Sequence, residues 1–288
     1  MTTEHIRIPA QLALNLRAVL QRLEHSAAPS GHAAPEETIL RQWTHDLRGD
    51  LESQLFQQVR VLLSLHIPKT GGVSFRQMLA TLFGEAYCQT YWEITDAHGQ
   101  VLADFPPSVR CIHGHFYAEK LRRRFPGAAL VSWVREPVER VASFYYYWQR
   151  EPDWKNPLCR ALHEHDWTLR DFAARDETRN EMSRYFGCVA PEDFAFIGLT
   201  ERFPESMRLF VQLFHLTAVP AARANANPAR SDDTYSLPED LRSEIAALNA
   251  EDCALYRECA RLFEERWQQA GIDGAGYSPH SAALCAPV

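Results

Sequence analysis

The segment over residues 68–74, Pro-Lys-Thr-Gly-Gly-Val-Ser, combines paired glycines with a lysine and two hydroxyls. Glycines let backbone N–H groups approach a phosphate closely, and a helix starting there adds the positive end of its dipole. Lys69 contributes a point charge. The segment is therefore a candidate anion site, although a Gly-Gly turn is also an ordinary chain reversal. It is not a Walker A loop, because Lys69 precedes the glycines.

A second candidate segment over residues 135–143 reads Arg-Glu-Pro-Val-Glu-Arg-Val-Ala-Ser. Pro137 suits the first turn of a helix, and Arg135 follows an apolar run that predicts a strand. Open α/β sheets bind ligands at the carboxyl ends of their strands. Ser143 lies two helical turns further on and can point back toward Arg135, so the two could clamp one phosphate. A surface arginine and a helical serine are the alternative.

The third segment is His113-Gly114-His115, which follows a short apolar run. An imidazole that is neutral near physiological pH is well matched to taking a proton from a hydroxyl. A His-x-His pair could also be a metal site or a loop feature, but no third ligand with suitable local spacing is evident.

The elements that must position these segments follow from the apolar pattern. Short apolar runs predict strands over residues 61–66, 109–112, 129–134 and 194–198, and helical spacing predicts the segments between and after them. This alternation predicts an α/β fold: a P-loop-like three-layer arrangement with a central, mostly parallel sheet flanked by helices. Further helices are expected over residues 204–215 and 238–267, the second broken near residues 249–252.

The boundaries predict three regions: a helical extension over residues 1–58, an α/β domain over residues 59–270 and a tail over residues 271–288. The extension rests on two leucine-rich stripes at helical spacing, separated by a Pro/Gly/Ala-rich stretch. Such stripes pack on the main domain or on a partner chain and are suited to a homodimer contact.

Composition limits the class of partner. The formal net charge of -7 argues against a general nucleic-acid surface, because such partners select a net basic face. No apolar run reaches membrane-spanning length, so no membrane anchor is expected. The seven scattered cysteines include no Cys-x-x-Cys pair, which predicts a reducing, cytoplasmic compartment.

The string Pro-Lys-Thr-Gly-Gly-x-Ser-Phe after an apolar strand closely resembles the 5′-phosphosulfate loop of the sulfotransferases that use 3′-phosphoadenosine 5′-phosphosulfate (PAPS), the family that includes the heparan sulfate 2-O-sulfotransferases and bacterial relatives. The resemblance implies that Lys69 also faces the bridging oxygen of the donor. By the same resemblance, the residues around the 5′-phosphate are Lys69, Thr70, Gly71, Gly72, Val73 and Ser74.

The other segments occur in the order that the family shows. Arg-x-Pro-x-x-Arg-x-x-Ser resembles its 3′-phosphate site, which implies that Arg135 and Ser143 hold that phosphate. The His-Gly-His segment resembles the one that supplies the catalytic base, which implies His115 as base and His113 as a supporting or alternative residue. A segment over residues 180–187 is also similar, so Asn180 and Arg184 are expected near cofactor or acceptor, or else on a solvated helix.

The resemblance therefore implies transfer of a sulfuryl group from PAPS to a hydroxyl, with adenosine 3′,5′-bisphosphate (PAP) as product and no required metal. The expected acceptor is a hydroxyl of a glycan or a small glycosylated molecule, and a protein tyrosine, a lipid or a small natural product stays open as an alternative. Two alternatives stay open at this stage. A kinase-like phosphotransferase shares the strand-loop-helix phosphate site but lacks an evident acidic metal partner here. A non-catalytic nucleotide-binding protein would bind PAP without transfer.

Overall fold

The computed structural model describes residues 61–91, 105–106, 108–125, 127–214 and 234–272. The predicted helical extension lies outside the described residues, and so does the predicted tail beyond residue 272. The predicted α/β domain lies largely within them.

The described core is a five-stranded sheet in which every neighbouring pair is parallel, in the order β2-β3-β1-β4-β5. The strands are β1 (Leu62–Leu65), β2 (Tyr87–Tyr91), β3 (Cys111–His115), β4 (Ala129–Val134) and β5 (Phe196–Leu199). The chain moves from the β2–β3 side of β1 to the β4–β5 side, so a topological switch point lies at the centre of the sheet. The predicted α/β class with a parallel sheet is confirmed.

Helices cover the sheet and connect its strands. They are α1 (Gly72–Phe83), α2 (Ala118–Arg124), α3 (Pro137–Arg150), α4 (Pro157–Glu164), α5 (Leu169–Ala173), α6 (Glu181–Phe186), α7 (Phe203–Leu213), α8 (Glu239–Leu248) and α9 (Ala250–Gln269). Asn249 separates α8 from α9, where the sequence predicts a break. Among the residues that the structure describes, no helix combines the length and apolar character that crossing a bilayer requires.

Three strand predictions need correction. The last strand, β5, runs from Phe196 to Leu199 and so begins two residues later than predicted. The third strand begins at Cys111 and runs through His115, two residues later than predicted, because Val109 is held in a turn by its N–H bond to the Pro106 carbonyl (2.9 Å). The edge strand β2 was not predicted, since its sequence Tyr-Cys-Gln-Thr-Tyr has little apolar character. The later position of β3 places both histidines of the third segment within this strand. His113 and His115 are two residues apart and therefore lie on the same face of β3.

The core has two parts. Apolar side chains of all the central strands pack with α1, α7 and α9, and the phenylalanines Phe75, Phe196 and Phe210 contact one another within this part. A second group centred on α3, α4 and α5 packs around Phe172 and Trp148.

Candidate active site

The three chemical segments lie at the carboxyl ends of three adjacent strands of the sheet. Leu65, the last residue of β1, is level with Gly114 of β3 and with Ser132 of β4. The candidate anion loop, the histidines and Arg135 therefore meet at one edge. In open parallel sheets this edge binds ligands.

The loop between β1 and α1 has an unusual backbone. Gly71 has φ +87° immediately before the helix, a conformation that side chains with a Cβ adopt at a cost. Lys69 has φ +69°, which is uncommon for a non-glycine residue and is found at functional sites. The first turn of α1 contains no acidic residue, so the positive end of its dipole is not neutralised. The loop can bind an anion.

Two threonines hold this loop in place. The Thr70 hydroxyl donates to the Ile67 carbonyl at 2.9 Å. The Thr200 hydroxyl lies 2.7 Å from the Thr70 carbonyl and 2.9 Å from the Val134 carbonyl, so it bridges the loop and the end of β4. Thr200 follows β5, and sequence reasoning gave it no role.

Lys69 projects into a partly buried, electropositive space. Its ammonium lies 3.7 Å from the centre of the Tyr147 ring, within range of a cation–π contact. Burial, together with the charges of Arg135 and Arg150, lowers the pKa of Lys69 to about 8. A bound anion would offset the repulsion from these two arginines and favour the charged ammonium of Lys69.

Arg135 faces the same space. Its guanidinium donates to the Lys69 carbonyl at 3.4 Å and lies 3.9 Å from the Glu139 carboxylate, and only 7% of Arg135 is exposed. Ser143, two turns along α3, is equally buried. The Arg135 side chain therefore lies against the loop that carries Lys69.

Buried carboxylates fix the surroundings of Arg135. Glu139 accepts hydrogen bonds from Arg242 (2.6 Å) and from the Tyr235 backbone N–H (3.0 Å). Glu136 caps α3 by accepting from the Glu139 N–H at 2.9 Å. The start of α3 is thus already occupied by a carboxylate, whereas the start of α1 is not.

The His115 ring is oriented by the backbone. Its Nδ1 lies 2.6 Å from the His66 carbonyl. A carbonyl can only accept, so Nδ1 carries the proton and Nε2 of the neutral ring keeps its lone pair. Burial lowers the pKa of His115 to about 4. The ring is therefore a neutral base at physiological pH.

The third imidazole at this edge belongs to His66, which sequence reasoning did not single out. Its ring stacks on His115, with centroids 4.7 Å apart, and on His113 at 5.0 Å. Burial and the neighbouring histidines lower the pKa of His66 well below its usual value. A Cβ added to Gly72 would lie 2.0 Å from the His66 ring, so the start of α1 touches the histidine cluster.

His113 is more enclosed than His115. It is 1% exposed, its Nδ1 lies 2.9 Å from the Ser64 hydroxyl, and burial lowers its pKa to about 3. Gly114 between the two histidines has no room for a side chain, because a Cβ there would lie 1.5 Å from the Thr90 carbonyl of β2. The tight strand pairing thus fixes both rings.

Asn180 and Arg184 make internal contacts at α6. The Asn180 side-chain oxygen accepts from the Asp252 N–H at 3.3 Å, and its own N–H donates to Asn249 at 3.0 Å. Arg184 is exposed and donates to the Glu177 carbonyl. Both anchor α6 and its preceding turn in this structure.

A buried charge network behind α6 also escaped sequence reasoning. Arg140 is fully buried, pairs with Glu181 and donates to the Thr178 carbonyl at 2.7 Å. The Asp252 carboxylate lies 3.9 Å from Arg140 and accepts from the N–H groups of Met182 and Ser183 at 3.1 and 2.7 Å. The network joins α3, α6 and α9.

Comparison with curated proteins finds sulfotransferases. Heparan-sulfate 6-O-sulfotransferase 3-B of Danio rerio is 25% identical over 275 residues, which cover 72% of this chain and 65% of that protein. Heparan-sulfate 6-O-sulfotransferase 1-B of the same organism is 25% identical over 293 residues, covering 76% and 70%. The chain thus spans about two thirds of the length of these relatives.

Solved sulfotransferases are similar at lower identity. A sulfotransferase from Alicyclobacillus acidocaldarius has a TM-score of 0.43 at 16% identity and covers 72% of this chain and 98% of that chain. Mouse sulfotransferase SULT7A1 complexed with PAP has a TM-score of 0.39 at 12% identity, covering 73% and 88%. No family model matches the chain. The resemblance to PAPS-dependent sulfotransferases is confirmed by the curated relatives, while the narrower likeness to the 2-O enzymes stays a prediction.

Proposed function

We propose that this chain, as a relative of the heparan-sulfate 6-O-sulfotransferases, transfers a sulfuryl group from PAPS to a carbohydrate hydroxyl. One observation carries the proposal: the Lys69 loop and Arg135, 66 residues apart in sequence, contact each other at the sheet edge where His115 also lies. A donor with two separated phosphates needs two cationic positions in one pocket.

The residues present fit such a donor. The start of α1 and Lys69 suit the 5′-phosphosulfate, together with Thr70, Gly71, Gly72, Val73 and Ser74. Arg135 and Ser143 suit the 3′-phosphate on the α3 side. Because the Glu136 carboxylate already caps α3, the start of α1 is the more open of these two helix starts to an anion.

His115 is the group that takes the proton. Its Nδ1 is committed to the His66 carbonyl, so Nε2 accepts the proton of the acceptor hydroxyl as the acceptor oxygen bonds to sulfur. The bond between sulfur and the donor phosphate oxygen breaks, and its electron pair leaves with the phosphate. Lys69 neutralises that charge. His113, hydrogen-bonded to Ser64, stacks on His66, which in turn stacks on the His115 ring and so supports it.

Binding and turnover separate the roles of these residues. Isothermal titration with PAP should give saturable binding to the wild-type chain, and Arg135→Ala should weaken it at least tenfold by leaving one phosphate unpaired. His115→Ala should bind PAP normally but lose turnover with radiolabelled PAPS. Arg170→Ala, an exposed arginine paired with Asp240 and Glu244, is the matched control and should bind PAP normally.

Three results would contradict the proposal. Stabilisation by ATP with magnesium but not by PAP would favour a kinase-like phosphotransferase. PAP binding without transfer to any glycan would indicate a binding protein. Normal turnover of His115→Ala would reject the assigned base.

A further inference from the structure

An exposed aromatic side chain lies beside the candidate base. Tyr117 follows His115 by two residues and is 44% exposed. In the described part of the chain, the large apolar or aromatic side chains with comparable exposure are Trp154 and Leu213, on the loop before α4 and at the end of α7. Tyr117 alone among these three adjoins the histidines along the chain.

Tyr117 belongs to an aromatic wall that begins at His115. The Tyr185 ring of α6 lies 6.1 Å from the His115 ring, centre to centre. Tyr117 stacks on Tyr185 with centroids 5.7 Å apart and planes 27° from parallel. The wall therefore runs from His115 outward to solvent.

The Tyr185 hydroxyl is held in its neutral form. Burial and the nearby charge of Glu181 raise the pKa of Tyr185. A neutral phenol both donates and accepts hydrogen bonds, as a sugar hydroxyl does. Aromatic faces beside such a group are suited to the apolar face of a sugar ring.

The outer end of the wall is cationic. The Lys120 ammonium lies 5.0 Å from the centre of the Tyr117 ring. Lys120 and Arg124, four residues apart, share one face of α2, and Tyr117 directly precedes this helix. The carboxylate of Glu119 lies 3.0 Å from the Cys188 thiol, and Arg122 pairs with Asp193. This side of α2 favours a negatively charged substituent, in contrast to the net charge of -7 for the chain.

We propose that Tyr117 and Tyr185 form a platform for a sugar ring of the acceptor, next to the ring that receives sulfate, and that Lys120 binds an anionic group on that sugar. The platform rests on the proposed sulfotransferase function, and it names the residues that bind the acceptor in that function. Tyr117 stacks against the sugar face, Tyr185 hydrogen-bonds a hydroxyl, and Lys120 selects carboxylated or sulfated glycans over neutral ones.

Initial-rate kinetics test the platform with two acceptors, heparan sulfate chains and neutral chitin oligosaccharides. Tyr117→Ala should raise the acceptor KM about tenfold and leave PAP affinity unchanged, whereas Tyr117→Phe keeps the stacking ring and should stay near wild type. Lys120→Ala should raise KM for heparan sulfate only. Trp154→Ala removes a more exposed aromatic side chain on the loop before α4 and should leave KM unchanged.

These experiments distinguish a failure of the sulfotransferase proposal from a failure of the platform alone. A wild-type chain that does not bind PAP overturns the sulfotransferase proposal itself. Transfer by the wild type with an unchanged KM in Tyr117→Ala overturns the platform alone. Binding of PAP without transfer to either glycan also overturns the platform as a sugar site. A similar rise of KM for both acceptors in Lys120→Ala overturns the assigned preference for anionic glycans.

Discussion

Replacement of Gly72 by alanine tests how the donor loop and the histidine cluster depend on each other. The added methyl would lie 2.0 Å from Cδ2 and 2.1 Å from Nε2 of His66. Carbon atoms in ordinary contact are about 3.5 Å apart, so the His66 ring or the start of α1 must move by about 1.5 Å. The ring cannot move without disturbing its stacks on His113 and His115.

The expected costs follow from this displacement. Overpacking of this kind lowers the free energy of unfolding by about 1–3 kcal/mol. A shift near 1 Å at a reacting group lowers rates about 100-fold, so kcat should fall by about two orders of magnitude in Gly72→Ala. PAP affinity should fall too, because the N–H groups of α1 move with residue 72.

A double-mutant cycle with His66→Ala isolates the contact. Urea unfolding of the four chains gives the coupling free energy between residues 66 and 72. With the ring removed, Gly72→Ala should cost nothing or stabilise by up to about 1 kcal/mol, because alanine is the better helix former. Gly84→Ala at the other end of α1 is the control for turnover, because an added methyl there meets no atom within 4 Å; its φ of +52° strains the backbone, so this variant is not a control for stability.

The outcome is decisive in either direction. Wild-type turnover and stability in Gly72→Ala would show that the close approach to His66 does not constrain the site. An equal loss of stability with and without the His66 ring would assign the cost to the backbone. A loss of turnover in Gly84→Ala similar to that in Gly72→Ala would show that the effect is not specific to the histidine cluster.

The remaining predictions concern pH and stability. The pKa of Lys69 is lowered to about 8, so its positive charge is lost as the pH rises through 8. Calorimetry should therefore show that PAP binds more weakly above pH 8. Lys69→Arg should bind PAP with the same affinity up to pH 9. The pKa of His115 is lowered to about 4, so the base is neutral above that pH and kcat/KM should stay flat from pH 7 down to about 5. A fall of kcat/KM with an apparent pKa near 6.5 would contradict the lowering of the His115 pKa by burial. Asp252→Ala leaves the N–H groups of Met182 and Ser183 without their acceptor, whereas Arg140 keeps its pair with Glu181, so urea unfolding should show a loss of about 1–3 kcal/mol in the free energy of unfolding, and the exposed Arg261→Ala should change little.

Local chemistry made several features predictable from sequence. The apolar runs predicted β1 and β4 to within one residue at their ends, because strands buried on both faces need continuous apolar side chains. Pro137 predicted the start of α3, since proline suits the first helical turn. The glycine pair predicted the turn into α1. The edge strand β2 was missed because an edge position demands no such pattern.

The amino-acid sequence by itself determined the residue types of the site and their order along the chain, since these depend on neighbours within a few positions. The tertiary structure decided which groups meet. The Arg135 contact with Lys69, the Thr200 bridge and the stacking of His66 on His115 join residues far apart in sequence. Their distances are set by sheet order and register, because parallel strands bring segments together only after the whole sheet has formed.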